Sequence, residues 1–248
     1  PLGYRGLGDV YKRQVLSLLL EISDKVEPIH PAATIVLIRD GDQGLEALLV
    51  QRSKAVRHMG GMWVFPGGRV DEADHEDAAN EYEAAVNAAV RETHEEAGLK
   101  IRRDQLVYQS HWTTPEGARK RFSTWFFLAI LDDDQEVVVD GGEIAHHRWF
   151  RPRQAFEEIE DDSNPFRLMP PTFVSLVDIA DYHDSDAAAA ALGQRDAIIY
   201  RPRMVFVEDG ICFLYEGDAG YEAEDQEVPG PRHRTYMIND KLEYIREI

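Results

Sequence analysis

The sequence predicts an α/β protein, a mixed β-sheet with long helices on its faces, followed by a β-rich tail. Three features carry that expectation. Short apolar runs bounded by turn residues recur from residue 32, one long segment of helical periodicity ends on Gly98, and alternating runs return beyond residue 201. AATIVLIR (32–39) and EALLVQ (46–51), separated by the turn residues DGDQG, read as a hairpin or two neighbouring strands. GGMWVFPGGRV (60–70) is a short strand among tight turns. The second half of 71–99 is helical, with Ala85, Val86, Ala88, Ala89 and Val90 at helix spacing and Gly98 as the C-cap. QLVYQSHW and RFSTWFFLAI read as strands joined by the loop TTPEGARK, and IAHHRWF (144–150) as another. RPRQAFEEIE starts a helix with Pro152 in its first turn, TFVSLVDIAD is a second amphipathic segment, and DAAAAALG is a helix end. RMVFVED, GICFLYEG and RHRTYMI make the tail, either a small terminal sheet on the core or a strand pair used by a homodimer.

Composition bounds the function. A net charge of −19 over 248 residues repels nucleic acid and anionic membranes, so neither is expected as a partner. No apolar run approaches the roughly eighteen residues of a membrane span. Cys212 is the only cysteine, which rules out an internal disulfide framework and suits a reducing, cytoplasmic compartment. Residues 1–14, PLGYRGLGDVYKRQ, look like the translation of a library adaptor and are set aside from the fold.

The chemistry concentrates in RETHEEAGL (91–99). On a helix Glu92 lies beside Glu95 and Glu96, so three carboxylates repel one another with only Arg91 near them in sequence. A solvated acidic face is the plain reading. A cage of hard oxygen ligands for Mg²⁺ or Mn²⁺ is the sharper one. The neighbours favour the second. Gly67 and Gly68 in FPGG allow the backbone to approach a ligand, and Glu83, eight residues before Arg91, is placed to hold it by a salt bridge. His94 reads as a helix-surface histidine. His146 and His147 are adjacent and Cys212 has no obvious companions, so no zinc site is expected.

This constellation resembles the Nudix hydrolase family, whose box runs Gly, five residues, Glu, seven residues, then Arg-Glu-hydrophobic-x-Glu-Glu-x-Gly-hydrophobic. Glu83, Arg91, Glu92, Glu95, Glu96, Gly98 and Leu99 match, with Thr93 in the hydrophobic position and Gly68 as the opening glycine. Fourteen residues instead of five separate Gly68 from Glu83. Asp74 stands at the unexpanded spacing, but the seven-residue spacer to Arg91 selects Glu83, with nine residues inserted before it. The resemblance implies a Nudix-type α/β/α sandwich over about 28–180, with 181–248 as a helical segment and β-rich extension. It also implies metal ligation by Glu92, Glu95, Glu96, the Gly67 carbonyl and Glu143, catalysis supported by Arg91, and Glu92 or Glu143 activating water.

LLVQRSKAVRHMGGMWVFPGG (48–68) further resembles the signature of the coenzyme A diphosphatases, with Val50 where threonine is usual. That branch implies cleavage of coenzyme A or acyl-CoA to 3′,5′-ADP and (acyl-)4′-phosphopantetheine. Arg52, Arg57, Gly68, Arg119 and Arg121 would meet the substrate, the last two from a basic island, Arg119-Lys120-Arg121, in an acidic chain. Trp112 is a candidate pocket wall, whereas Trp125, Phe126 and Phe127 read as core strand. Two alternatives stand beside this: a Nudix diphosphatase for ADP-ribose, NADH or nucleoside triphosphates, and a non-catalytic nucleotide-sensing protein on the same fold.

Overall fold

In the computed structural model the described residues are 27–56, 58–131 and 135–248, so the adaptor-like residues 1–14 and Arg57 fall outside them. Two compact units divide the described chain: His30–Trp112 with Ser123–Ile199, and Thr113–Phe122 with Tyr200–Ile248 and the few residues before His30.

The first unit is built on an eight-stranded sheet. Its strands are β1 (Ile29–Gly41), β2 (Gly44–Arg52), β3 (Trp63–Val64), β4 (Gly67–Arg69), β5 (Val107–Thr113), β6 (Arg121–Ile130), β7 (Ile144–Phe150) and β8 (Ile198–Tyr200). Spatial order is β3-β2-β1-β6-β5-β8, with β4 on β1 and β7 on β2. The hairpin read from DGDQG is present, pairing Ile38 with Ala47 and closing at Gly41 and Gly44. Every residue from Thr34 to Ile38 is buried, as in a strand covered on both faces.

One face is covered by α1 (Glu81–Ala97), where the sequence places its helix. Ala84, Ala85, Ala88 and Ala89 are fully buried against Ile35, Leu37, Leu48, Phe127 and Ala129. Small side chains let the helix axis approach the sheet, while Phe127 fills the space between. Asn80 caps the start by accepting from the Glu83 amide at 3.0 Å, worth about 1 kcal/mol. Gly98 ends the helix in the left-handed region, φ 71°, as its glycine signals. Thr93 is wholly buried and its hydroxyl has no hydrogen-bond partner among the described residues. Thr93→Val, which restores the aliphatic residue at no change of shape, is expected to stabilise the fold by about 1 kcal/mol, read as a raised Tm. The helices α2 (Pro152–Glu160), α3 (Pro170–Ile179) and α4 (Ser185–Gly193) follow, the first two starting on prolines, and α2 packs on β2 and α3. Phe126 and Phe127 are core residues, as read.

The tail forms a separate antiparallel sheet of β9 (Arg203–Val207), β10 (Gly210–Leu214), β11 (Arg232–Ile238) and β12 (Lys241–Glu247). The Asp218 carboxylate accepts two bonds from Arg234 at 2.7 Å, one from the His233 amide and one from Gly220, tying the 215–231 loop to β11. Neither side chain of that pair is more than 2% exposed, so the ion pair persists by having its lone pairs satisfied rather than by solvent.

Candidate active site

The first component is a glycine turn gripped by β1. Register pairs Thr34 with Gly67 and Ala33 with Gly68. The Thr34 hydroxyl donates to the Pro66 carbonyl at 2.5 Å and fixes the turn from inside. A Cβ on Gly67 (φ 155°) would stand 2.4 Å from the Ala33 carbonyl oxygen, and one on Gly68 only 2.3 Å from Glu92 Oε1. Gly67 is therefore demanded by close approach to the β1 backbone, whereas at Gly68 a side chain would displace the Glu92 carboxylate. The turn faces α1 directly, since the Gly67 amide donates to Glu96 Oε2 at 2.9 Å.

Arg91 is the second component, and its partner differs from the one expected. Its Nε and NH2 grip Asp74 at 3.0 and 2.8 Å, NH2 also donates to the Arg69 carbonyl, and NH1 reaches Glu92 at 2.9 Å and Glu95 at 3.1 Å. Glu83 does not hold Arg91. Eight residues on a helix are about 12 Å of axial rise, beyond the span of a salt bridge. Glu83 instead caps the helix start, accepting from the Ala79 amide at 3.1 Å. Asp74 arrives from a 3₁₀ turn, Glu72–His75, folded back on α1. The insertion thus lies between Asp74 and Arg91, sixteen residues in place of seven, and not between Gly68 and the acidic residue. The five-residue spacing from Gly68 to Asp74 is the sequence signal that points to it.

The third component comes from β2 and β7. Arg52 NH2 donates to Glu143 Oε1 at 2.6 Å while its Nε donates to the His58 carbonyl at 3.2 Å. Glu143 sits on a turn that Asp140 organises by accepting from the amides of Gly142, Glu143 and Ile144. The Ser53 amide, donating to the Glu143 carbonyl at 2.7 Å, sews that turn to the end of β2.

These contacts set the electrostatics. Burial raises the Glu96 carboxyl to about 8, with Glu92 and Glu143 adding like charge, against the opposing effect of the Gly67 amide and Arg52. Glu92 is also raised, again by burial first, with Arg91 resisting. Asp74 is lowered on balance because the Arg91 bonds and the Asp71 amide outweigh its burial. Arg91 is held above the usual guanidinium range, chiefly by its bond to Asp74.

Glu92, Glu96, Gly67, Gly68, Arg91, Arg52 and Glu143 are therefore brought into one neighbourhood, with Glu95 at its exposed edge. Arg119 and Arg121 belong to the other unit, where Arg121 is buried with its Nε turned to the Thr114 carbonyl, leaving Arg119 and Lys120 exposed. Trp112 is buried, its indole NH on Ser110. Among the described residues no three acidic, His or Cys side chains already converge as a metal cage. The chemistry of the donors nonetheless fits a hard divalent cation: all are oxygens, and the largely desolvated carboxylates of Glu92 and Glu96 gain most from a positive partner.

A carboxylate helix locked by an arginine to a glycine turn on an α/β core defines a pyrophosphatase-type hydrolase. The chain belongs to the NUDIX domain family, whose match covers residues 28–170. It is 24% identical over 213 residues to putative nudix hydrolase 7 of Caenorhabditis elegans, covering 72% of this chain and 70% of the relative. It is 32% identical over 117 residues to the human acyl-coenzyme A diphosphatase NUDT19, covering 45% of this chain but only 31% of that protein. The crystal structure of a NUDIX hydrolase from Alicyclobacillus acidocaldarius shares the fold, with a TM-score of 0.59 and 24% identity over 67% of this chain and 97% of that one. No helix among the described residues is long and apolar enough to cross a membrane.

Proposed function

We propose that the chain hydrolyses the diphosphate bond of coenzyme A or an acyl-CoA, with Mg²⁺ or Mn²⁺, in the cytoplasm. The observation that carries the reading is the placement of Arg52, from the LLVQRS stretch, beside the FPGG turn, Glu96 and Glu143. The similarity to an acyl-coenzyme A diphosphatase supports it.

Glu92, Glu95, Glu96, Glu143 and the Gly67 carbonyl would hold the cation. When bound, it supplies charge neutralisation on the diphosphate oxygens and a lower pKa for water. The chain's own residues do the rest. Arg91, fixed by Asp74, keeps Glu92 and Glu95 turned toward each other. Glu92 or Glu143 accepts the proton of the attacking water. Gly68 leaves room for Glu92 against the turn. Arg52 meets the diphosphate. Arg121, buried, serves the hairpin that carries Arg119.

The test is product release from coenzyme A, acetyl-CoA, a longer acyl-CoA, ADP-ribose, NADH and a nucleoside triphosphate, with Mg²⁺ and then Mn²⁺. Turnover of coenzyme A and its thioesters at least tenfold faster in kcat/KM than the rest is expected. Faster turnover of ADP-ribose, NADH or the triphosphate would sink the substrate assignment. No metal-dependent turnover at all would favour a sensing protein.

A further inference from the structure

Each carboxylate offered to the cation already has a protein partner: Glu92 and Glu95 lie on Arg91, Glu96 on the Gly67 amide, and Glu143 on Arg52. The first three come from one helix, and their partners are built into its supports. Arg91 is held from the other side by Asp74 and Arg69, so a second oxygen of Glu92 or Glu95 can turn outward without breaking anything. Glu143 is different. It comes from another segment, its side chain is 51% exposed against 16% for Arg52, and among the described residues Arg52 is its sole side-chain partner.

Arg52 is the fixed member. Its backbone is clamped on both sides, its amide to the Met62 carbonyl at 3.0 Å and its carbonyl to the Gly61 amide at 2.9 Å, and Nε is tied to His58. Any exchange must therefore be made by the Glu143 carboxylate, which swings on a turn that Asp140 and Ser53 hold still. A short charge-assisted bond of this kind withholds the carboxylate from a competing cation.

We infer that Arg52 is a latch on Glu143: it withholds that carboxylate from the metal until a substrate phosphate takes the guanidinium, so that cation and diphosphate are bound cooperatively. The inference rests on the proposed metal-dependent reading of this site. Reciprocity follows from linkage, because whatever frees Glu143 by occupying Arg52 tightens the metal, and the metal in turn frees Arg52 for phosphate. It makes Arg52 a positioning residue as well as a phosphate contact.

The experiment is Mn²⁺ titration of the full chain without substrate, by calorimetry, for wild type, Arg52→Gln, Glu143→Gln and the double variant, with thermal melts to establish folding. Arg52→Gln is expected to bind Mn²⁺ five- to tenfold more tightly in the wild-type background and to change it less than twofold in the Glu143→Gln background. Arg52→Lys, which keeps the charge but not the fork, should lie between. Equal tightening in both backgrounds would reduce Arg52 to a repulsive charge and overturn the latch, as would weaker binding in Arg52→Gln. Mn²⁺ binding by none of the variants would instead remove the metal reading on which the latch depends. Because no substrate enters, failure of the coenzyme A assignment leaves this outcome untouched.

Discussion

Glu96→Gln is expected to abolish metal-dependent hydrolysis, lowering kcat by about 10³-fold, while making the metal-free protein more stable at alkaline pH. The two effects have one origin. Glu96 is 5% exposed, and burial pushes its carboxyl from 4.5 up to about 8. Its folded value is raised, so the native state binds the proton more tightly than the unfolded chain. The stability this contributes is full below the unfolded value of 4.5 and is lost as pH rises through about 8. A glutamine cannot ionise and keeps it. Metal-free Glu96→Gln is therefore expected to exceed wild type by roughly 3 kcal/mol at pH 9 and to match it at pH 5, read by denaturant unfolding in EDTA. Metal should reverse the order, since a cation rewards the ionised carboxylate and binding releases its proton. Metal affinity of the wild type accordingly climbs with pH until about 8. Equal stability of the two proteins at pH 9 would show that Glu96 is not strained by its burial.

The second large effect concerns the residue that holds Arg91. Asp74→Asn removes the charge facing two guanidinium nitrogens and leaves Arg91 free to leave Glu92 and Glu95. Asp74 is 5% exposed and Arg91 26%, so the loss is set at about 2 kcal/mol, below the range for a fully buried pair. Activity should fall about 10²-fold as the carboxylates lose their orientation. Asp74 is depressed in the fold, so its contribution is present above 3.8 and lost as pH falls through its folded value. Glu83→Gln is the control. It touches a helix cap, and the expectation is less than about 1 kcal/mol and activity within twofold of wild type. The reverse ranking would restore Glu83 as the arginine's partner.

That pair of variants marks where the sequence was and was not sufficient. The helix, its alanine face and its glycine stop were legible because periodicity and capping are local, and β1, β2 and the FPGG turn for the same reason. Helix spacing alone placed Glu92 beside Glu95 and Glu96, but not the separate partners, Arg91 and the Gly67 amide, to which their side chains turn. Asp74 stood at the five-residue spacing but was passed over because a spacer counted along the chain was preferred to the geometry of a helix: seven residues from Glu83 to Arg91 fit a motif, but not a contact. The bond between Arg52 and Glu143 spans 91 positions and depends on β2 pairing with β7, which no local pattern encodes. Arg121 read as part of a basic island because it follows Arg119 and Lys120 in the sequence; the structure instead buries it, with its Nε on the Thr114 carbonyl. Strand β8 has three residues, too few to show a period, and the charged side chains of β12 conceal an edge strand.

The most direct test of the account is chromatographic identification of the products from coenzyme A incubated with wild type and Glu96→Gln, in Mg²⁺ and in EDTA. The expected products are 3′,5′-ADP and 4′-phosphopantetheine, from the wild type with Mg²⁺ only. Intact coenzyme A in that reaction, or equal amounts of product from Glu96→Gln or in EDTA, would contradict this expectation.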